Sequence, residues 1–440
     1  MDANESMSIA NWVVEFSVKN GAEQVAVSLT KRREVEIEYR DNKLEKLQES
    51  TKNLLNLKIY SWSRYSSHNT NDLRKETLSK WIEDALSGTK YLSEDCYRSL
   101  PDPEYYPKEA NSDLQIYDPS YEQMQMNERK EMAAAVEKSA LNESDQIISV
   151  TSVYNDTFTE TNRVHSNGFS GQVKGTLFTS GAEVTVRDGE TGRPSDGYWA
   201  HTRWRMDLPL PEELGREAAR RALRKLGQSK IDSGRYTMLV ENHLGAQLFT
   251  TLFKPMTAKN LQQKNSYLED SLNKKVASES LTILDDPFIH KGLGSKYFDG
   301  EGLALKKRLI IENGILRDYY IDNYYGRKLA LKPNSGSTSN IVFEYGTQSL
   351  EEMIREIDRG ILITGFIGGN SNSTTGDFSY GIVGLLIEQG RVIQPVNEMN
   401  ISGNAKNFWH SLIAVGSDPY QYSTWRCPCL RFEGVQFSGI

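Results

Sequence analysis

The sequence predicts an α+β fold: two helix–meander–helix units followed by a β-rich C-terminal domain. Three observations predict it. Helical periodicity, strand alternation and helical periodicity follow one another over residues 1–100, and the same order returns over 115–227. A stretch rich in Pro, Asp and Tyr, residues 100–120, separates the two. From Ser233 onward the texture changes to short apolar strands divided by Gly turns, which sets off residues 232–440 as a third part.

The elements follow in order. Residues 6–20 read as a helix with Ile9, Val13 and Phe16 inward and Trp12 as a further inward candidate. Strands are expected at 24–29, 34–39, 43–49, 54–61 and 64–70, with Asp41-Asn42 as a hairpin turn. A helix over 72–86, capped by Asn71 or Asp72, carries Leu78, Ile82 and Leu86 at helical spacing. The second unit opens with a helix over 121–141, whose inward candidates are Met132, Ala135, Val136 and Ala140. Strands follow at 147–154, 157–165, 169–179, 182–187 and 198–206, and a helix over 211–225 closes the unit. Its acidic first turn and basic last turn suit the helix dipole.

The third part starts with a strand, 237–240, that runs into a helix with Leu244, Leu248, Phe249 and Leu252 on one face. A helix N-terminus at a sheet edge is a common place for a site. A hairpin over 303–312 and 315–321 turns at Asn313-Gly314. A short helix at 349–357, strands at 361–366, 381–388 and 391–393, a helix at 405–412 and a strand at 430–437 complete the chain.

Composition excludes several function classes. At 440 residues the chain exceeds one ordinary core, so two or three domains are expected. With 52 basic and 59 acidic side chains the net charge is −7, which argues against a nucleic-acid surface. No apolar run approaches membrane-spanning length, and the acidic, polar N-terminus is unlike a signal peptide. Three cysteines, Cys96, Cys427 and Cys429, point to a reducing compartment without a disulfide framework, and cytoplasm is the expectation.

Few residue patterns suggest chemistry. None of the six histidines (His68, His165, His201, His243, His290, His410) is followed by Glu, and no two lie within five residues, so a helical zinc pair is missing. His243 reads as a cap or surface residue, and Cys427-Pro428-Cys429 as a structural pair, since one intervening residue suits a tetrahedral site poorly. Asp285, Asp286, Asp299 and Glu301 read as turn carboxylates, with cation binding or acid–base work as the alternative. The basic helix 216–225 reads as half-buried, given its Ala218, Ala222 and Leu226 stripe. No catalytic nucleophile is identified: Gly-x-Ser-x-Gly does not occur. Residues 368–379, GGNSNSTTGDFS, have the most unusual composition, and no phosphate-loop pattern. A mobile loop accounts for them. Alternatively, small residues let an extended peptide approach and pair as an added strand, which makes Gly368, Gly369, Thr375, Gly376, Asp377 and Ser379 the substrate-binding candidates.

Several segments together carry a resemblance. They are Leu100-Pro101-Asp102-Pro103, Asp285-Asp286-Pro287, Phe298-Asp299-Gly300-Glu301-Gly302, Ile311-Glu312-Asn313-Gly314-Ile315, Thr375-Gly376-Asp377-Phe378-Ser379, Ile387-Glu388-Gln389-Gly390 and Ser438-Gly439. In this order the chain resembles the TldD/PmbA family, once called modulators of DNA gyrase and now regarded as proteases. In that family the TldD-type subunit carries His-Glu-x-x-x-His on the helix after the strand, and the PmbA (TldE)-type subunit does not. This sequence resembles the second type, because Thr250, Thr251 and Pro255 fall where the motif would be. TldD-type subunits also place a cysteine ligand near the end of the chain, in the neighbourhood of Cys427. The resemblance implies a cytoplasmic assembly that cuts peptides or unfolded proteins, with a TldD-type subunit or a second copy of this chain as partner. It implies no metal or other cofactor on this chain, and zinc only on a TldD-type partner. Two alternatives are a self-sufficient homodimeric peptidase and a non-enzymatic binding protein that modulates DNA gyrase.

Overall fold

The computed structural model describes residues 3–108 and 113–440, so four residues of the expected linker lie outside the described residues. Helix α1 (Ala3–Lys19) leads into strands β1 (Gln24–Arg40), β2 (Lys43–Ser61) and β3 (Arg64–Thr70) and helix α2 (Lys75–Thr89). The second unit repeats the order with α3 (Met126–Leu141), β4 (Ile147–His165), β5 (Ser170–Val186), β6 (Ser195–Thr202) and α4 (Pro211–Leu223).

The two units share one sheet. Its order is β3-β2-β1-β4-β5-β6, and β1 joins β4 antiparallel from Ala26↔His165 to Arg40↔Thr151. Strands expected in pairs are continuous: 24–29 and 34–39 merge in β1, 43–49 and 54–61 in β2, 147–154 and 157–165 in β4. The polar residues between them signalled breaks, yet their backbone continues the ladders, on both sides in β1 and β4 and with β1 alone in β2, and needs no turn. At Asn155-Asp156 the apparent turn is a buried ion pair, with Arg129 Nε donating to Asp156 Oδ2 at 2.5 Å.

Alternation assigns the faces. Val25, Val27 and Leu29 of β1, Leu55, Leu57 and Ile59 of β2 and Val164 of β4 pack with α1 and α2. Val150, Ala182, Val184, Val186 and Ala200 pack with α3 and α4. Both helix pairs thus cover one face. The other face turns toward the C-terminal domain.

Helix starts differ from expectation. Asp72 does not cap α2: its carboxylate accepts from Arg74 N and holds the Arg74 guanidinium, and the helix begins at Lys75. The helix expected over 121–141 is a 3-10 turn, Pro119–Gln123, followed by α3. Asp118 Oδ1 accepts from Ser120 N at 2.9 Å, and Tyr121 leaves the helix to lie between Phe158 and Phe178.

In the C-terminal domain β7 (Gly234–Val240) passes through a 3-10 turn, Asn242–Leu244, into α5 (Gly245–Phe253), then α6 (Ala258–Gln262) and β8 (Ile283–Asp286). Next come β9 (Arg308–Glu312), β10 (Ile315–Leu316), α7 (Asn323–Leu329), β11 (Asn340–Phe343) and α8 (Leu350–Arg355). The chain ends with β12 (Arg359–Ser371), β13 (Asp377–Glu388), β14 (Arg391–Asn404), α9 (Ala405–Phe408), β15 (Leu412–Val415), β16 (Trp425–Arg426) and β17 (Leu430–Ser438). One sheet runs β10-β9-β8-β11-β16. The other runs β14-β13-β12-β7-β17-β15, and the pairs Asn400↔Ser438 and Ile401↔Phe437 close β14 back onto β17. A core of apolar side chains from α5 and both sheets, including Phe249, Trp409, Phe432 and Phe437, holds them together.

The hairpin at Asn313-Gly314 is far shorter than expected. Both residues take positive φ (48° and 77°), as a tight two-residue turn requires, but β9 and β10 pair only over Ile311–Glu312 and Ile315–Leu316. Residues 303–307 are drawn off by other partners: Asp299 Oδ1 accepts from Leu303 N and Tyr105 O accepts from Ala304 N. The helix expected over 405–412 is one turn of α9 and a 3-10 turn before β15.

The Phe298–Gly302 segment docks this domain on the first sheet. Arg163 Nη1 donates to Asp299 O at 2.6 Å, and the Phe169 and Phe298 rings meet edge to face at 5.0 Å. Glu301 beside it is half-buried and accepts from Asn323 N at 2.8 Å. Burial, with smaller contributions from Asp299 and Asp322, pushes its pKa from 4.5 up to about 7. The folded chain therefore binds this proton more tightly than the unfolded chain, and stability falls as pH rises from 4.5 through 7. Glu301→Gln is expected to raise stability at pH 8 by about 2 kcal/mol after a discount for partial exposure, and to change nothing below pH 4.5. Denaturant melts at the two pH values check both halves.

Candidate functional site

Two features of the C-terminal domain meet where it faces β5 and β6. The first is a free strand edge. Strand β12 pairs in parallel with β7 over Gly360–Ile363, and Glu241 N donates to Ile363 O at 3.2 Å. There the chain turns away into α5. Beyond that point β12 pairs only with β13, so from Gly365 to Ser371 one edge carries no strand among the described residues.

The second is a cavity of ≈ 600 Å³ beside the start of that edge. Trp199 and His201 of β6 form one wall, Tyr420 and Tyr422 a second, and His243, Leu244 and Gln247 a third; Thr364, Gly365 and Phe366 of β12 and the charged Glu183, Asp196 and Arg221 also line it. The aromatic walls are held by hydrogen bonds and ring contacts. Tyr420 donates its hydroxyl proton to Trp199 O at 2.8 Å, and Tyr422 lies 5.8 Å from the Tyr420 ring. Burial pushes the Tyr420 hydroxyl up to about 12, so it stays protonated as a donor.

Charge in the cavity is fixed in place. Arg221 Nε donates to Glu217 Oε1 at 2.8 Å, and its guanidinium lies 4.7 Å from the Tyr198 ring centre. Burial acts to raise the Glu217 pKa, but hydrogen bonds from Arg220 and Arg221 outweigh it and hold the carboxyl down at about 2. Arg221 Nη1 lies 3.3 Å from His243 Nε2, and an arginine can only donate. His243 is therefore neutral with its proton on Nδ1, 3.6 Å from Glu241 Oε2. Burial first, then Arg221 and Arg224, pushes its pKa down to about 3. Its one lone pair is engaged by Arg221, so it is a wall and not a base. The expectation of a cap or surface role for His243 is corrected: it is half-buried in the interface between the sheet and α5.

The substrate-binding candidates occupy a different arrangement from the loop that was one of the two expectations. Residues 368–379 are the end of the β12–β13 hairpin, closed by a turn over 372–376. The β12 half of this arm, 367–370, is exposed and carries no apolar alternation, whereas β13 alternates exposed Asp377 and Ser379 with buried Phe378 and Tyr380. Gly369 takes φ 123°, and a Cβ there would lie 2.4 Å from Ser379 O, while Gly368 (φ 78°) faces open space. Gly376 takes φ 89° next to Asn404. Thr375 Oγ1 donates to Asp377 Oδ2 at 2.7 Å, and Asn404 Nδ2 donates to Asp377 Oδ1 at 2.8 Å. Ser379 is exposed and pairs with Asn370 and Ser402 across the ladders. Thr375, Gly376 and Asp377 thus bond within the turn. Ser379 and Asp377 line a hollow of ≈ 720 Å³ with Asn260, Asn265 and Asn370.

These contacts predict the outcome at Gly369. Gly369→Val is expected to cost the arm about 1–3 kcal/mol of local stability, from backbone strain and contact with Ser379 O. Amide exchange over 365–383 should accelerate, while Gly368→Ala, strained by its φ of 78° but with no neighbouring atom to clash against, should change it less.

The helix after β7 carries no imidazole. Thr250 Oγ1 donates to Gln247 O, and Pro255 is buried. Thr251 Oγ1 donates to Leu248 O at 2.7 Å and accepts from Trp409 Nε1 at 2.9 Å. The two C-terminal cysteines are separately engaged. Cys427 packs on Gly245, where a Cβ would lie 2.7 Å from its own, and Cys429 Sγ donates to Asp418 Oδ2 at 2.9 Å. Among the described residues no three His, Cys, Asp or Glu side chains gather as a metal site.

The aromatic cavity was not visible in the sequence. Trp199 stands more than two hundred positions from Tyr420 and Tyr422, and only the contact between the first sheet and the C-terminal domain brings them together. The one available signal was the aromatic cluster Tyr420-Gln421-Tyr422 in a stretch without strand alternation.

Comparison with known proteins agrees with this architecture. Residues 119–226 match the PmbA/TldA metallopeptidase central domain, and residues 233–439 match the C-terminal domain of the same description. The chain is 29% identical over 428 residues to the metalloprotease PmbA of Escherichia coli, covering 96% of this chain and 93% of that protein. It is 27% identical over 442 residues to a metalloprotease PmbA homolog of Buchnera aphidicola, covering 99% and 98%. A crystal structure from Bacteroides thetaiotaomicron, named as a candidate modulator of DNA gyrase, is 40% identical over the full length of both chains, with a TM-score of 0.97. TldE from Thermococcus kodakarensis shares the fold at 22% identity and a TM-score of 0.87, covering 98% of this chain and 100% of that one. No helix among the described residues is long and apolar enough to cross a membrane. With two of its three parts matched in order and full-length relatives on both sides, the chain belongs to the PmbA/TldD metallopeptidase family.

Proposed function

We propose that this chain is the metal-free subunit of a cytoplasmic metalloprotease assembly and supplies the surface on which an extended peptide is held. The observation that carries the reading is the state of α5 beside the free edge of β12. Where a zinc-bearing subunit would place its ligands, Thr251 has its hydroxyl bonded on both sides and Pro255 is buried. His243 has its Nε2 lone pair engaged by Arg221, and the Cys427 thiol is buried with its pKa pushed up by desolvation. These donors do not fit zinc, which needs deprotonated thiolate or free imidazole nitrogen.

What the chain retains is a binding surface. A peptide pairing with the edge of β12 near Gly365 would place alternate side chains toward Trp199, Tyr420 and Tyr422. The bulge between Phe366 and Gly369 would limit that pairing to a short stretch next to the cavity. The bond-breaking step then belongs to a zinc-bearing TldD-type partner, and the C-terminal domain forms the interface. Sedimentation should find an assembly larger than the monomer with that partner. A monomer both alone and in the mixture would remove the assembly from the reading.

A further inference from the structure

A second cavity, of ≈ 220 Å³, lies on the same face of the first sheet but over β1, β2 and β4. Register explains its shape. Lys58, Ala26 and His165 form one cross-strand row, and Asn56, Ser28 and Arg163 form the next. Side chains in such rows share a face. The central strand thus presents the small side chains of Ala26, Ser28 and Thr30 between longer polar side chains, and the hollow opens over them. Leu100-Pro101 and Gly300-Glu301 form its roof, so two of the segments that carry the family resemblance meet here.

The polar atoms are unevenly satisfied. Arg163 gives one donor to Asp299 O and keeps the others. Among the described residues the Lys58 ammonium makes no hydrogen bond or ion pair, although the side chain is partly buried in the cavity lining. Glu301 is the one carboxylate in the lining, and its hydrogen bond goes to Asn323 N instead of to Lys58. Burial lowers the pKa of both Lys58 and Arg163, so each cation lacks full compensation, and the carboxyl of Glu301 is itself pushed up to about 7. His165 is kept neutral by burial. An acidic chain therefore holds a local excess of positive charge and donors around a small hollow.

We propose that this cavity binds a small oxyanion, a phosphate or carboxylate group seated over Ala26 and Ser28 and held by Lys58 and Arg163. Such a ligand would bridge the first sheet and the Gly300-Glu301 turn, at a site separate from the peptide cavity over β5 and β6.

Calorimetric titration of the full chain at pH 7 with inorganic phosphate, and separately with succinate, tests it. At least one probe is expected to bind at one site per chain with Kd at or below about 1 mM. Phosphate alone would assign the site to phosphate groups, succinate alone to carboxylates, and both to oxyanions in general. Lys58→Met keeps the stem and removes the charge, and should weaken binding tenfold or more. Ser28→Leu should abolish binding by filling the floor. If that variant has a lowered Tm, Lys58→Met decides. No heat from either probe at about 10 mM, or equal affinity in Lys58→Met, would overturn the proposal.

Discussion

Arg129→Met is expected to destabilise the chain by about 3–5 kcal/mol, the largest effect of any single change considered. Arg129 and Asp156 are both buried, and their pair joins α3 to the middle of β4. Removing the guanidinium leaves the Asp156 carboxylate with the Tyr154 hydroxyl, 3.0 Å away, and only the more distant, partly exposed Arg33 as a counter-charge. It also frees Met124 O, which accepts from Arg129 Nη1 at 2.6 Å. Arg129→Met with Asp156→Leu should recover much of the loss, since an apolar pair avoids the uncompensated charge. Chemical denaturation of both variants measures the difference. Equal losses in the single and double variants would mean that packing, and not charge, dominates at this position.

Gln247→Trp is expected to lower peptide cleavage by the assembled enzyme at least tenfold, about 1.4 kcal/mol in kcat/KM. Gln247 is exposed on α5 at the mouth of the aromatic cavity, opposite Trp199 and Tyr420. An indole there would fill the space an extended peptide needs beside Gly365. Because the position is exposed, the melting temperature of the isolated chain should change little. Unchanged kcat/KM with normal assembly would move the peptide away from this cavity.

Much of the fold was legible because backbone chemistry leaves marks in sequence. Alternation over 147–165 and 170–186 and periodicity over 211–223 gave the elements of the second unit. Merged strands were not legible. Residues such as Lys31, Arg32 and Arg33 look like a break, but in β1 they lie between two paired neighbours. Side-chain burial shifted by a residue at one position. In α3 Val136 and Ala140 are buried as expected, but Ala133 takes the place of Met132 and packs against Tyr154 and Phe178, with Met132 partly buried beside them.

The candidate site was legible in only one respect. The composition of 368–379 marked an unusual segment, and the structure shows a hairpin whose glycine at 369 is required by its own ladder. The cavity next to that arm depends on the contact between the sheet and the C-terminal domain. Such contacts between residues more than two hundred apart leave no periodic signal. The small cavity over Ala26 and Ser28 is a similar case: each residue is unremarkable in its strand, and only register places them between Lys58 and Arg163.

The most direct test of the account is zinc content and cleavage measured on the same preparations. The chain is purified alone, dialysed against a weak chelator, and then mixed with a TldD-type subunit that carries His-Glu-x-x-x-His. No stoichiometric zinc and no peptide cleavage are expected for the chain alone. Cleavage is expected in the mixture, with zinc close to one per partner subunit. About one zinc per chain that survives dialysis, as expected of a tight site, or cleavage by the chain alone, would contradict it.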